Sequence, residues 1–299
     1  EIDNNVGTIR IAINTITDES GIHLPLTVAS SYLPLETPKG GDIWFNFNYI
    51  DSNFDIGLVQ NSKVSFGDVT ILYHEILHSL GLDHPNDNPN ISFPNSKNSR
   101  EYTLMANTFS DNNGGDEATK YTVNNQMYAV ASTPMIYDIA SLQYLYGANN
   151  LYNSGDTTYA YNPNTPFIET IWDGGGNDTL DLSNFSNKQI LNLTEGQSST
   201  IGFDVNWAMN NNLGIAFNAI IENAKGGAGE DKITGNKYKN NIQGNAGNDT
   251  IDGGSDYDIA TYSGNFSDYT FTIADKKVTI KDNRSSTNDG IDTLSNIEK

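Results

Sequence analysis

Residues 226–261 fall into four consecutive nine-residue units, GGAGEDKIT, GNKYKNNIQ, GNAGNDTID and GGSDYDIAT. A strict period of nine is the mark of a solenoid, in which each unit buries its apolar side against its neighbours. Ile233, Ile242, Ile251 and Ala260 hold the same place in every unit. A flexible Gly/Asn linker has no reason to keep an apolar residue at that interval, so these side chains are expected to face inward. The glycines at the head of each unit permit a tight turn and expose carbonyl oxygens, and the last three residues form a short strand.

The N-terminal half reads differently. Ile9, Ile11 and Ile13 alternate with Thr8, Arg10 and Ala12, and after Gly40-Gly41 the residues Ile43, Phe45, Phe47 and Tyr49 alternate with Trp44, Asn46 and Asn48. Both patterns have the period of two expected of half-buried strands. Between Gly67 and Gly81 the period changes, with Val69, Leu72, Ile76 and Leu80 at helical spacing and Asp68 placed to cap the first turn. A second helix is expected to open at Thr133-Pro134 and to end near Gly147. Beyond about residue 150 helical periodicity disappears, which puts the domain boundary at Gly147, with domains 1–147 and 148–299. Ile190–Leu193 and a hairpin of Tyr269-Phe271-Ile273 with Val278-Ile280 are expected to flank the repeats as a sandwich.

The charge balance narrows the partners. The 37 Asp+Glu residues outnumber the 16 Lys+Arg, giving a formal net charge of -21. Nothing gathers the basic residues into a patch that would neutralise phosphates, which excludes nucleic acid. Acidic residues set beside glycine point instead to hard cations such as calcium. Cysteine is absent, so stability outside the cell would come from metals rather than disulfides. No apolar run is long enough to insert in a membrane.

Three of the four histidines lie in one short run, His74-Glu75-Ile76-Leu77-His78-Ser79-Leu80-Gly81-Leu82-Asp83-His84. On a helix, residues four apart share a face, so His74 and His78 can point at a single ion. Gly81 lets the chain leave the helix and return His84 as a third ligand. Three neutral imidazoles leave the fourth tetrahedral position of zinc to water, the catalytic arrangement. Water held there has its pKa lowered to about 7, and Glu75 is placed to take its proton as it attacks a peptide carbonyl. His23 lies outside the run and reads as an ordinary histidine.

The run HEILHSLGLDHP, residues 74–85, matches HExxHxxGxxH and resembles the serralysin form of the metzincin signature, Pro85 included. Tyr102-Thr103-Leu104-Met105 is similar to the methionine turn of that family, PMIYDIASLQYLYGAN to its closing helix, and Ile171–Asp178 to the entry into its repeats. The resemblance implies His74, His78 and His84 as zinc ligands, Glu75 as general base and Met105 as the apolar floor beneath the metal. It implies an α+β metzincin catalytic domain, a mixed sheet plus active-site helix, followed by an all-β parallel β-roll and sandwich. The chain departs from the family at Asn107, where serralysins carry a tyrosine that can coordinate zinc. The ends at Glu1 and Lys299 are expected to be those of a trimmed piece or of a module in a larger protein.

In such a roll calcium sits between a turn and the turn two units later, so ligating acids stand 18 residues apart, as Asp231 and Asp249 do on one side and Asn240 and Asp258 on the other. Gly226, Gly229, Gly244 and Gly247 are expected to supply carbonyls, and Asp173 and Asp178, with Asp181, to bind a further calcium. The expected protein is a secreted, monomeric zinc endopeptidase acting on extended polypeptides along the Trp44 edge strand, exported by a bacterial type I-like route. The alternative is a surface-layer or adhesin-type structural protein whose peptidase module is vestigial or cuts only its parent.

Overall fold

The computed structural model describes residues 9–14, 29–31, 33–34, 40–46, 66–85, 87, 93–106, 122–123, 126–127, 131–204, 210–286 and 288–299. The sequence readings at His23, Phe47, Tyr49 and Asn107 lie outside them. The chain divides into two compact units, Glu1–Leu142 and Gln143–Lys299.

In the first unit β1 (Arg10–Asn14), β2 (Ala29–Ser31) and β3 (Asp42–Asn46) form a sheet in the order β1-β3-β2. β3 runs parallel to β1, with Ile11 opposite Ile43, and antiparallel to β2, with Ser31 opposite Ile43. The strand that carries Trp44 is therefore central, not an edge, and offers no free ladder to a substrate. Alternation shows which face a side chain takes, but it does not say which strand lies alongside. A short ladder joins β4 (Thr122–Val123) to β5 (Gln126–Met127).

The first helix, α1 (Phe66–Ser79), begins before the expected cap, so Asp68 lies within its first turn. Among its described side chains Leu77 is the deepest apolar one, whereas Leu72 and Ile76, and Leu80 just beyond the helix, are only half-buried. The helix has apolar residues on more than one face, and period alone did not choose between them. Its end is a Schellman motif: the Gly81 amide donates to the His78 carbonyl and the Leu82 amide to the Leu77 carbonyl. Gly81 takes φ +100°, which a side chain would resist, and Leu82 is buried like Leu77.

The second helix, α2 (Ile136–Tyr146), starts after Pro134 rather than at it. Its start is set by Asp138, which accepts a hydrogen bond from the Met135 amide at 2.9 Å, the reciprocal half of a capping box.

In the second unit the repeat strands β13 (Lys232–Thr234), β14 (Asn241–Gln243), β15 (Thr250–Asp252) and β16 (Ile259–Ala260) alternate between two sheets. One sheet holds β6 (Thr158–Ala160), β8 (Thr179–Asp181), β12 (Asn223–Lys225), β14 and β16, all parallel. The other places β13 and β15 between β9 (Ile190–Asn192) and β19 (Ile291–Ser295), and beyond β19 adds the hairpin of β17 (Tyr269–Ala274) and β18 (Lys277–Asp282). A smaller sheet joins β7 (Glu169–Ile171), β10 (Ser198–Ser199) and β11 (Leu213–Ile215).

Ile233 faces Ile251 in register, and Ile242 faces Ala260, so each strand stacks on the one two units later. Ile233, Ile242 and Ile251 are buried and Ala260, on the outermost strand, is half-buried. The expected flanking sandwich is not what forms. Leu191 pairs in register with Ile233, so Ile190–Leu193 supplies a strand of the roll itself, and the hairpin prolongs the same sheet through β19. Both sheets therefore continue past the nonapeptides, across excursions too long to keep the period of nine.

Candidate metal centres

α1 presents His74 and His78 one turn apart, and the Schellman turn brings His84 back to them. The Nε2 atom of His84 lies 3.1 Å from that of His74 and 3.1 Å from that of His78. The partners of the opposite ring nitrogens fix the tautomers. His74 Nδ1 is 2.7 Å from the Leu104 carbonyl and His78 Nδ1 is 2.8 Å from the Leu82 carbonyl, and a carbonyl can only accept, so both Nδ1 atoms carry the hydrogen. His84 Nδ1 likewise faces Asp87 Oδ2 at 2.7 Å. A neutral ring with its hydrogen on Nδ1 carries its lone pair on Nε2, and the three Nε2 atoms lie together, an arrangement of lone pairs that repels itself unless a cation lies between them. Ligands of a tetrahedral zinc at its usual bond lengths stand about 3.3 Å apart, so the donor set and its spacing fit that ion.

Burial favours the neutral form of the two helical rings. It lowers the His74 pKa to about 4, against the opposing effect of the Leu104 carbonyl, and it lowers that of His78 as well. Glu75, 7% exposed, has no partner for Oε2. Burial raises its pKa, and Ser31 on β2 and His84 hold the rise in check.

Met105 is buried in the tight turn expected for it, where the Ala106 amide donates to the Thr103 carbonyl. Asp138, 1% exposed, braces this turn: Oδ1 accepts from the Thr103 hydroxyl at 2.5 Å, and Oδ2 accepts from the Leu104 amide at 2.8 Å. Burial raises its pKa to about 6 in spite of these bonds. The Leu104 carbonyl in turn holds His74, so Asp138 supports that ring across a single residue. The sequence reading missed Asp138, Ser31 and Asp87. The first two act from distant parts of the chain, while Asp87 carried a local signal, a carboxylate three residues past the last histidine of the run.

The second unit stacks its acidic residues in two columns. In one, the Gln189 amide donates to Asp231 Oδ1 at 2.6 Å, the Asp231 amide to Asp249 Oδ1 at 2.8 Å, and the Asp249 amide to Asp292 Oδ1 at 2.8 Å. In the other, the Thr157 amide donates to Asp178 Oδ1 and the Asp178 amide to Glu222 Oε2, followed by Asn240 to Asp258 Oδ1 and Asp258 to Glu298 Oε2. Sequence reasoning found Asp231, Asp249, Asn240, Asp258 and Asp178 but not Glu222, Asp292 or Glu298, which lie outside the period of nine.

Each column leaves oxygen atoms unused. Oδ2 of Asp178, Asp249 and Asp258 is buried without a hydrogen-bond partner. Asp231 Oδ2 accepts from the Gly227 amide, Asn240 Oδ1 from the Asn236 amide, and Asp173 accepts from the Gly175 amide and the Tyr159 hydroxyl. Burial raises the Asp249 pKa to about 8, with Asp292 and Asp231 adding to the effect, and those of Asp231 and Asp292 to about 6; Asp178 and Asp258 are raised too. Stacked turns bring backbone oxygens to the same place: a Cβ at Gly226 would lie 2.6 Å from the Gly244 carbonyl, and one at Gly247, φ +128°, would strike that of Gly229. Uncompensated buried carboxylate oxygens beside backbone carbonyls form a hard-oxygen donor set that fits calcium.

Comparison with known proteins bears on both units. Residues 137–299 match the family model described as peptidase M10 serralysin C terminal. The chain is 36% identical over 224 residues to serralysin C of Dickeya chrysanthemi, which takes in 69% of this chain and 42% of that protein. It is 37% identical over 233 residues to metalloprotease AprA of Pseudomonas entomophila, 71% of this chain and 45% of that protein, and 42% identical over 191 residues to metallopeptidase AprA of Pseudomonas marginalis, 58% and 38%. The chain thus spans less than half the length of these curated relatives.

Proposed function

We propose, for a chain that belongs to the serralysin family, that it works as a secreted zinc-dependent endopeptidase stabilised by calcium. The observation that carries this reading is the convergence of the Nε2 lone pairs of His74, His78 and His84 on one point, with buried Glu75 beside them. These imidazoles would hold the zinc and Glu75 would stay off it. Zinc bound there supplies a Lewis acid that polarises the scissile carbonyl and acidifies water.

The chain's own groups do the rest. Glu75 takes the proton of the attacking water as the new C–O bond forms, then gives it to the leaving amine as the C–N bond breaks. Burial moves its pKa upward, toward the range in which a carboxyl group can do both near neutrality. The tight turn at Met105, braced by Asp138, holds the Leu104 carbonyl against His74 and so keeps that ring from swinging away. An extended substrate would pair along β2, which is outermost on its side of the sheet among the described residues and carries Ser31 beside Glu75.

Asp231, Asp249, Asn240, Asp258, Asp173 and Asp178, with the carbonyls of Gly226, Gly229, Gly244 and Gly247, would hold calcium in the roll. Release from the cell suits a cysteine-free, calcium-dependent chain, and among the described residues no helix is long and apolar enough to cross a membrane.

The structural-protein alternative predicts a different outcome in one assay. Purified chain incubated with denatured casein is expected to cut it in trans, to stop when a zinc chelator is added, and to resume when zinc is restored. Absence of chelator-sensitive cleavage in trans would favour the surface-protein reading.

A further inference from the structure

We propose that Asp87 is a positioning residue for the third ligand, fixing the tautomer and direction of the His84 ring. The inference rests on the zinc reading of the histidine cluster. His74 and His78 grow from α1, and both have their Nδ1 atoms tied to main-chain carbonyls that no side-chain substitution removes. His84 stands beyond the helix, where no regular element sets its ring, and its Nδ1 hydrogen goes to a side chain, Asp87 Oδ2, at 2.7 Å.

The pair is open to solvent, with the side chain of His84 24% and that of Asp87 50% exposed. A neutral imidazole in such a place can carry its hydrogen on either nitrogen, and only the form with Nδ1–H presents Nε2 to a metal. A carboxylate on that hydrogen selects this form, restrains the ring and makes Nε2 a stronger donor. Asp83 does something else: its Oδ1 accepts the main-chain amide of His84 at 2.9 Å, which anchors the backbone and leaves the ring free. Asp83, His84 and Asp87 also lie close enough together to gather a cation of their own. A carboxylate serving as a ligand and one serving as an orienting group can be told apart by metal count.

The test is the zinc dissociation constant of the full chain, measured in competition with a chromophoric chelator, for the parent and for Asp87→Ala, Asp87→Asn and Asp83→Asn. Asp87→Ala is expected to weaken binding by about 10–100-fold. Asp87→Asn should fall in between, since its amide oxygen still accepts the Nδ1 hydrogen without the charge, and Asp83→Asn should stay within about threefold of the parent. The visible absorption of the cobalt-substituted chain should change in Asp87→Ala and largely recover in Asp87→Asn, a graded rescue that a merely structural loop contact would not give. Zinc affinity of Asp87→Ala within about twofold of the parent overturns the proposal. So do two zinc ions on the parent with one lost in Asp87→Ala, because Asp87 would then be a ligand. A parent that takes up no zinc at all overturns the site reading as well, and that result is visible before any substitution is made.

Discussion

Glu75→Ala is expected to lower peptide hydrolysis by about 10²–10⁴-fold, the usual contribution of a positioned general base, while the chain still takes up about one zinc ion. The two halves of this result belong together. Glu75 lies beside the imidazoles rather than among the atoms that converge, so its removal should leave the donor set whole. The side chain is nearly buried and Oε2 has no hydrogen-bond partner, so that oxygen is free for the water it would deprotonate. Glu75→Gln gives a sharper version, because it keeps the shape and loses the ability to take a proton. Casein digestion followed beside metal analysis reads both quantities. An unchanged digestion rate in either variant would remove Glu75 from the chemistry, whereas loss of zinc together with activity would mean that it helps to hold the metal.

Calcium removal should have its largest effect on the second unit, and that effect should depend on pH with a definite sign. Asp249 is pushed up to about 8 and Asp231 and Asp292 to about 6, so the folded roll without metal resists their ionisation. In the unfolded chain these groups ionise near the ordinary carboxylate value of about 4. Below that value both states are protonated and there is no penalty. As pH rises from about 4 to about 8 the unfolded state sheds protons that the fold retains, and the metal-free roll loses stability. In excess chelator, melting followed by circular dichroism should therefore occur at progressively lower temperature from about pH 5 to about pH 8. Calcium, which binds the ionised form, should reverse that trend, and its stabilisation should be greatest at the upper end of the range. Asp249→Asn should flatten the metal-free pH dependence and reduce the gain from calcium. A metal-free roll that grows more stable toward alkaline pH would contradict the account of the two columns.

What was legible in the sequence was whatever depends on near neighbours. His74, His78, Gly81 and His84 are set by one helix and its terminating turn, and the Schellman hydrogen bonds follow from Leu77, Gly81 and Leu82. The inward isoleucines were equally plain, because nine-residue units repeat their geometry. Pairing order was not. Alternation in β3 put Ile43 and Trp44 on opposite faces but could not tell that β1 and β2 take both sides of the strand bearing Trp44. Asp138 is 64 residues from His74 and acts through the backbone of Leu104, a relation that no spacing announces. Asp292 follows Asp249 in its column after an excursion of 43 residues, and Glu222 and Glu298 join the other column from outside the repeats. A search for the period of nine ends where these residues begin.

The start of α1 was misplaced for a related reason. An acidic residue before an apolar run looks the same as a cap or as part of the first turn, and the packing of the chain ahead of it decides which it is. The start of α2 was fixed by Asp138 from inside the helix rather than by Pro134 from outside it.

The centre of the account is that His74, His78 and His84 share one metal ion whose remaining position stays exchangeable. Zinc K-edge X-ray absorption on the zinc-loaded chain addresses this directly. The expected first shell is three imidazole nitrogens at about 2.0–2.1 Å with one or two oxygens from solvent. A shell with fewer than three imidazoles, or one closed by a further side chain that solvent and inhibitors cannot displace, would contradict it.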